Sequence, residues 1–255
     1  MTTSIPAIAS GGCALAPLAV VSLTQGELDR IVDLHKAWLL HRNGGERARL
    51  RDMDLSCLDL SGRDLSDADF AGANLAGASL VGAKLSRVNL FAADLRGANL
   101  EHAEFRRADL RGARLDGARI SHALFIEADL RSGSRLRQPG ADGSPGPNFA
   151  LRTDLAGSTL TGARFPRADL SFANLSGAVL TRADFTETTL DGACLRDADL
   201  TGARCRYASL READLSGAIL LSVDLALADL TGAKLDGTIR DASLVAHPDS
   251  RREPM

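Results

Sequence analysis

Leu or Phe falls on nearly every residue number divisible by five, and this period decides what the chain can fold into. One run extends from Leu50 to Leu130 and a second from Leu155 to Leu235, with 17 units in each. Only Ile120 and Cys205 depart from Leu or Phe among the 34 central positions. In a helix, five steps of about 100° turn each successive Leu by about 140° and scatter the apolar set around the axis. In a flat strand, residues five apart face opposite sides. All the Leu can point inward only if the chain turns a corner in every unit, so that successive turns close a coil and the coils stack at about 4.8 Å.

The rest of each unit fits this reading. Ala stands two residues before the central position in 26 of the 34 units, where a larger inward side chain would push the walls apart. Asp or Asn often precedes the central residue, and Gly often stands two after it, relieving backbone strain at the turn. Aromatic residues are only 4% of the chain, so Leu and Ala must supply the burial.

The stretch Ala68-Asp69-Phe70-Ala71-Gly72-Ala73-Asn74-Leu75 resembles the pentapeptide-repeat family through its A-(D/N)-L-X-X unit, and the match covers roughly residues 48–245. The resemblance implies an all-β solenoid: a right-handed quadrilateral β-helix with four units, or 20 residues, per coil. The 34 units then make about eight to nine coils. In steps of twenty, Phe105, Phe125, Phe165 and Phe185 share one face. The 24 residues between Leu130 and Leu155 exceed the ordinary four by twenty, so looping out that excess keeps the faces in phase and makes a core ladder of the four Phe. The Gly-, Ser- and Pro-rich segment 131–151 is loop chemistry and carries Arg131, Arg135 and Arg137; a tolerated insertion and a functional loop both fit it.

Thr24-Gln25-Gly26-Glu27 reads as a capping box, followed by Leu28, Ile31, Val32, His35 and Leu39 at helical spacing and stopped by Asn43-Gly44-Gly45. The expected organisation is a disordered segment 1–23, a capping helix within 24–45, a single β-helix over 46–245 with its loop at about 131–151, and a polar tail 246–255. The bulky Met53 and Leu58 at Ala positions suit an end coil beneath a cap, whereas the sequence offers no reason for Arg63. After Leu235 the spacing slips by one, predicting Ile239 and Leu244 as the last rungs.

The sequence holds no nucleophile elbow, P-loop, zinc motif or dinucleotide fingerprint, so neither an enzyme nor a cofactor or metal is expected. His102 and His122 lie one coil apart, but two ligands on a flat wall are thin for a metal site. Cys205 takes a core position, which suits packing better than catalysis. With no basic residue before Arg30, no metal or disulfide spacing among four cysteines and no uncharged apolar run of membrane-spanning length, a cytoplasmic location without membrane contact is expected.

A chain of this kind binds through its walls. The resemblance extends to the family's quinolone-resistance and topoisomerase-poison-immunity members, which imitate duplex DNA and bind DNA gyrase. In this chain the best carboxylate column is Asp69, Asp109, Asp129, Asp169 and Asp229. Charge argues against a strong mimic, because the coils sum to only −5. Lys84, Arg87, Arg106, Arg107, Arg164 and Arg167 gather on the Phe-ladder face, interleaved with Glu104 and Glu127; with little exposed aromatic surface for base stacking, direct nucleic-acid binding is disfavoured. A generic protein-binding scaffold is the alternative to the gyrase reading. At the uncapped C-terminal end, Ile219, Leu221, Leu227 and Leu244 are expected to form an end-to-end homodimer interface.

Overall fold

The computed structural model of the protein describes residues 21–136 and 148–241. Its organising contact is a parallel bridge between residues twenty apart, as in Asp69↔Asn89↔Asp109↔Asp129. Four pentads therefore make one turn of the stack. Each pentad bends after its central residue, so a wall contributes only a bridging residue or two before the corner. Hence most of the ladder consists of isolated bridges, and among the described residues the only extended parallel pair joins β3 (Ile219–Leu220) to β4 (Ile239–Arg240).

Backbone chemistry explains the repeat letter by letter. The central residue donates its N–H to the next turn (Leu50 to the Asp69 carbonyl, 2.7 Å), and the residue before it bonds the turn behind (Asp69 N–H to the Ala48 carbonyl, 3.0 Å). The Asp or Asn before the central residue accepts the N–H two residues on, as Asp54 Oδ1 does from Ser56 at 3.1 Å. This local turn is the structural reason for the carboxylate at that position. The second residue after the centre is left-handed in every unit away from the insertion: Gly82 has φ +63, but His102, Arg107, Phe172 and Leu227 adopt φ between 54 and 61 at the same position. Gly is thus favoured there without being required.

The interior is a filled column of Leu, Phe and Ala with no measurable exposure over most of its length. Phe105, Phe125, Phe165 and Phe185 stack with ring centroids 4.6, 4.7 and 5.0 Å apart and nearly parallel planes. Cys205 takes the next place on this column, where burial pushes its thiol pKa up to about 12 and keeps it protonated and inert as a nucleophile.

Residues 131–151 leave the stack without changing its phase. Bridges skip the insertion, pairing Arg114 with Asp154, Leu124 with Arg164 and Asp129 with Asp169. Within it, β1 (Gly133–Leu136) pairs antiparallel with β2 (Asn148–Leu151). Thr153 closes the splice: its buried hydroxyl accepts the Gly112 N–H at 2.9 Å and donates to the Arg131 carbonyl at 2.8 Å. Gly112 cannot carry a side chain, since a Cβ there would stand 2.6 Å from the Cβ of Leu151.

At the N-terminal end, α1 (Gln25–Leu39) begins with a capping box between Thr24 and Glu27 and buries Leu28, Val32 and His35. His35 Nδ1 accepts the Ala48 N–H at 3.2 Å, which places the proton of the neutral ring on Nε2. Burial lowers its pKa, against the opposing pull of the Ser66 carbonyl, Asp64 and Asp67. The Gln25 side chain holds both backbone groups of Asp59 at 2.9 Å. Arg63 has its explanation here: its guanidinium reaches Asp29 of α1 at 2.9 Å. An end coil has no neighbour on that side, so the Ala position can carry a side chain that ties down the helix.

Two boundaries differ from the sequence reading. Val21 to Leu23, assigned above to a disordered segment, bond to the first coil: the Asp54 N–H donates to the Val21 carbonyl and the Leu23 N–H to the Asp54 carbonyl, satisfying an edge that would otherwise lack a partner. At the other end the register does not slip. Ile239 pairs with Ile219 and Arg240 with Leu220, so Arg240 occupies the rung position and Ile239 points outward with 54% exposure. Parallel pairing to the preceding coil fixes the phase even where the side chains no longer suit it. Residues 1–20 and the tail 246–255 lie outside the described residues, as does Leu244.

Candidate functional site

The five carboxylates of the proposed column stand on one wall, and Asp109, Asp129 and Asp169 occupy successive turns. Each accepts a backbone N–H two residues on, at 2.9–3.2 Å. Each also holds an arginine. Arg51 meets Asp69 at 3.2 Å, and Arg211 meets Asp229 at 2.9 Å. Arg111 spans Asp109 and Asp129 at 2.7 and 3.6 Å, and Arg131 spans Asp129 and Asp169 at 2.8 and 3.5 Å. The centre of the column is therefore an alternating Asp–Arg lattice. At Asp129 burial works to raise the pKa, but the hydrogen bond and charge of Arg131 outweigh it and the carboxyl stays below its ordinary range. Such surface pairs are worth little in stability, but they fix the side chains in place. Of the three loop arginines, Arg131 joins the lattice, Arg135 lies on β1 and Arg137 falls outside the described residues.

Elsewhere the walls offer little chemistry. His102 and His122 stack at 5.2 Å with planes 12° apart, and no cluster of three or more metal-ligating side chains occurs among the described residues. No described helix is long and apolar enough to cross a membrane. Two concavities among the described residues flank α1, one of about 530 Å³ beside Trp38 and Arg47 and one of about 310 Å³ beside Lys36 and Arg63.

Among the described residues, no helix covers the C-terminal end. Leu225, Leu230 and Leu235 are only partly buried, in contrast to the sealed interior before them. Leu227 is 70% exposed, while Ile219 and Leu221 are half-buried. Two further aromatics, Phe172 and Tyr207, are exposed. Both stand at the left-handed turn position, which always points outward, and that rule is what identifies them.

A filled interior of Leu, Phe and Ala, with side chains fixed in columns one turn apart, defines a repeat solenoid. The chain belongs to the pentapeptide-repeat family: the family's repeat model matches eight copies within residues 54–90, 92–131, 152–178, 165–202 and 198–237. Among solved structures it is similar to HetL of Nostoc sp. strain PCC 7120, a pentapeptide repeat protein involved in regulating heterocyst differentiation. The identity is 30% over 84% of this chain and 96% of that one, with a TM-score of 0.37. It is also similar to full-length QnrB1, a plasmid-mediated fluoroquinolone resistance protein, at 18% identity over 78% of this chain and 94% of that one, with a TM-score of 0.46. A thylakoid-lumen pentapeptide repeat protein of Arabidopsis thaliana is 27% identical over 55% of this chain and 69% of that one, with a TM-score of 0.33. No curated protein sequence matches the chain.

Proposed function

We propose that this chain is a non-enzymatic, protein-binding rod: a right-handed quadrilateral β-helix of about eight to nine coils, capped by α1, that presents rigid charged walls to a partner. The observation that carries this reading is the Asp–Arg lattice from Asp109 to Asp169, which holds a pattern of charge in fixed register. A surface already ordered loses little side-chain entropy on docking. Cross-linking in cells followed by mass spectrometry tests it; protein cross-links concentrated on the walls are expected, and their absence from the rod would remove the reading.

A more specific form takes the partner to be DNA gyrase or a related type II topoisomerase, engaged as a surrogate for duplex DNA and thereby protected from topoisomerase poisons. In its favour, Asp109, Asp129 and Asp169 recur on successive turns, and Asp69 and Asp229 extend the same wall. Against it, every one of these carboxylates has an arginine partner, which weakens a phosphate-like field. The test is a supercoiling assay in which the protein is titrated against gyrase with and without a quinolone. Binding should weaken with salt, and Asp109→Lys combined with Asp129→Lys should abolish it. A double variant that acts like wild type would remove the column from the reading.

The same proposal includes a twofold dimer through the C-terminal end. Pairing two such ends would cover Leu227 and the half-buried Leu225, Leu230 and Leu235. Sedimentation equilibrium at high protein concentration should give a dimer mass that falls to the monomer in Leu227→Asp. A monomer mass for wild type would exclude the dimer.

A further inference from the structure

The Phe-ladder wall carries a patch with a different character from the carboxylate column. Its centre is apolar. Leu124 and Ile126 flank Phe125 on one turn, Pro166 follows Phe165 on the next, and all three are half-buried. Leu124 bridges Glu104 on one side and Arg164 on the other, which puts this centre in the middle of a basic ring. Arg106, Arg107, Arg164 and Arg167 surround it, with Lys84 and Arg87 farther along the wall.

The ring is not neutralised from within. Glu127 serves two arginines at once, Arg107 at 2.6 Å and Arg167 at 2.8 Å, so one carboxylate answers two cations. Those two hold its pKa below the usual range, and Arg106 adds to the pull. Arg106 and Lys84 are exposed, and neither side chain makes a hydrogen bond or ion pair among the described residues. Asp67 partners Arg87 at the patch's margin, at 2.5 Å, and Asp184 meets Arg164 of the ring at 3.6 Å. The result is an apolar centre with an arginine-rich rim and surplus positive charge, which is the anatomy of a protein interface.

We propose that this wall is a docking surface for an acidic segment of a partner protein whose carboxylates alternate with apolar side chains. The carboxylates would meet Arg106, Arg107 and Arg167, and the apolar residues would cover Leu124, Ile126 and Pro166. Peptide chemistry fits better than nucleic acid for two reasons. Glu104 and Glu127 sit within the ring and repel a continuous phosphate backbone. The centre is aliphatic, so it offers no ring on which bases could stack. The inference rests on the protein-binding reading, but the patch lies on the wall next to the carboxylate column and does not depend on it.

Fluorescence anisotropy with a labelled peptide of repeated Glu-Leu-Asp-Leu units tests the proposal on the full chain. Wild type should bind this probe and not its Lys-Leu counterpart. Arg106→Glu with Arg167→Glu should weaken binding by at least about tenfold, the scale expected when paired charges are reversed at an interface. Arg96→Glu with Arg196→Glu makes the same charge change on another wall and should leave binding within about twofold. Ile126→Asp should weaken it as well, with an unchanged melting temperature showing that the rod is intact. Asp109→Lys with Asp129→Lys should still bind, which separates failure of this patch from failure of the column. No binding by wild type, equal losses in the two arginine pairs, or a duplex oligonucleotide that binds as tightly as the peptide would each overturn the assignment.

Discussion

Phe125→Ala is expected to destabilise the rod by about 3–5 kcal/mol, the usual range for truncating a buried Phe. The ring lies at the middle of a continuous stack, with Phe105 at 4.6 Å on one side and Phe165 at 4.7 Å on the other. Removing it takes stacking from both neighbours and leaves a cavity that the solenoid cannot close. Collapse would require adjacent coils to approach, yet their spacing is fixed by the backbone bonds Phe105 N–H to Leu124 and Phe125 N–H to Arg164, at 2.6 and 2.7 Å. In a globular core, neighbouring elements can shift into a void; here the walls are tied on both sides. Phe125→Leu should cost less, because Leu already fills this position in other coils, such as Leu85. Chemical denaturation measures both. A loss below about 1 kcal/mol for the Ala variant would mean that the ring contributes no core packing.

How far the sequence determines this molecule can be judged residue by residue. The inward Leu, the small Ala beside it and the left-handed turn position are legible because each is a steric demand repeated in every unit. The twenty-residue coil follows from the family resemblance rather than from the residues alone, and given that length the insertion's excess of twenty equals one coil. The second use of the carboxylates was not. Asp before the central Leu appears in the sequence as a possible charge column, but its two partners, the N–H two residues on and an arginine on its own or the adjoining turn, are visible only once the coils are stacked. Arg63 was opaque for the same reason, because its partner Asp29 lies 34 residues away on α1. Ile239 is an apolar residue next to a rung position, so side-chain character alone points to the wrong register. Backbone pairing to Ile219 sets it instead. The aliphatic centre at Leu124, Ile126 and Pro166 is not legible in the sequence because its members lie on two different turns, and only stacking brings Leu124 beside Arg164.

Deleting residues 132–151 should leave a cooperative rod, whereas deleting 132–150 should destroy its second half. The longer deletion removes one full coil's worth of sequence and joins Arg131 to Arg152. Arg152 then takes the left-handed turn position, which Arg87, Arg107, Arg167 and Arg182 already adopt with φ of 54 to 57. Thr153 remains the inward residue two before Leu155, next to the Arg131 carbonyl to which its hydroxyl donates at 2.8 Å. The bridges Arg114↔Asp154 and Asp129↔Asp169 need no adjustment, since they already skip the insertion. What is lost is the β1–β2 pair and the contact of Leu151 with Gly112, both outside the core. A stability change of about 1 kcal/mol, or roughly 2–4 °C in melting temperature for a chain of this size, is the expected scale. The shorter deletion leaves one residue too many in the joining pentad. Restoring phase would then require a bulge, and without one every Leu from 155 onward leaves the interior while polar neighbours enter it. Circular dichroism, gel filtration and thermal melting distinguish the two. If both deletions melt alike, the phase of the coils is not what joins the two halves of the stack.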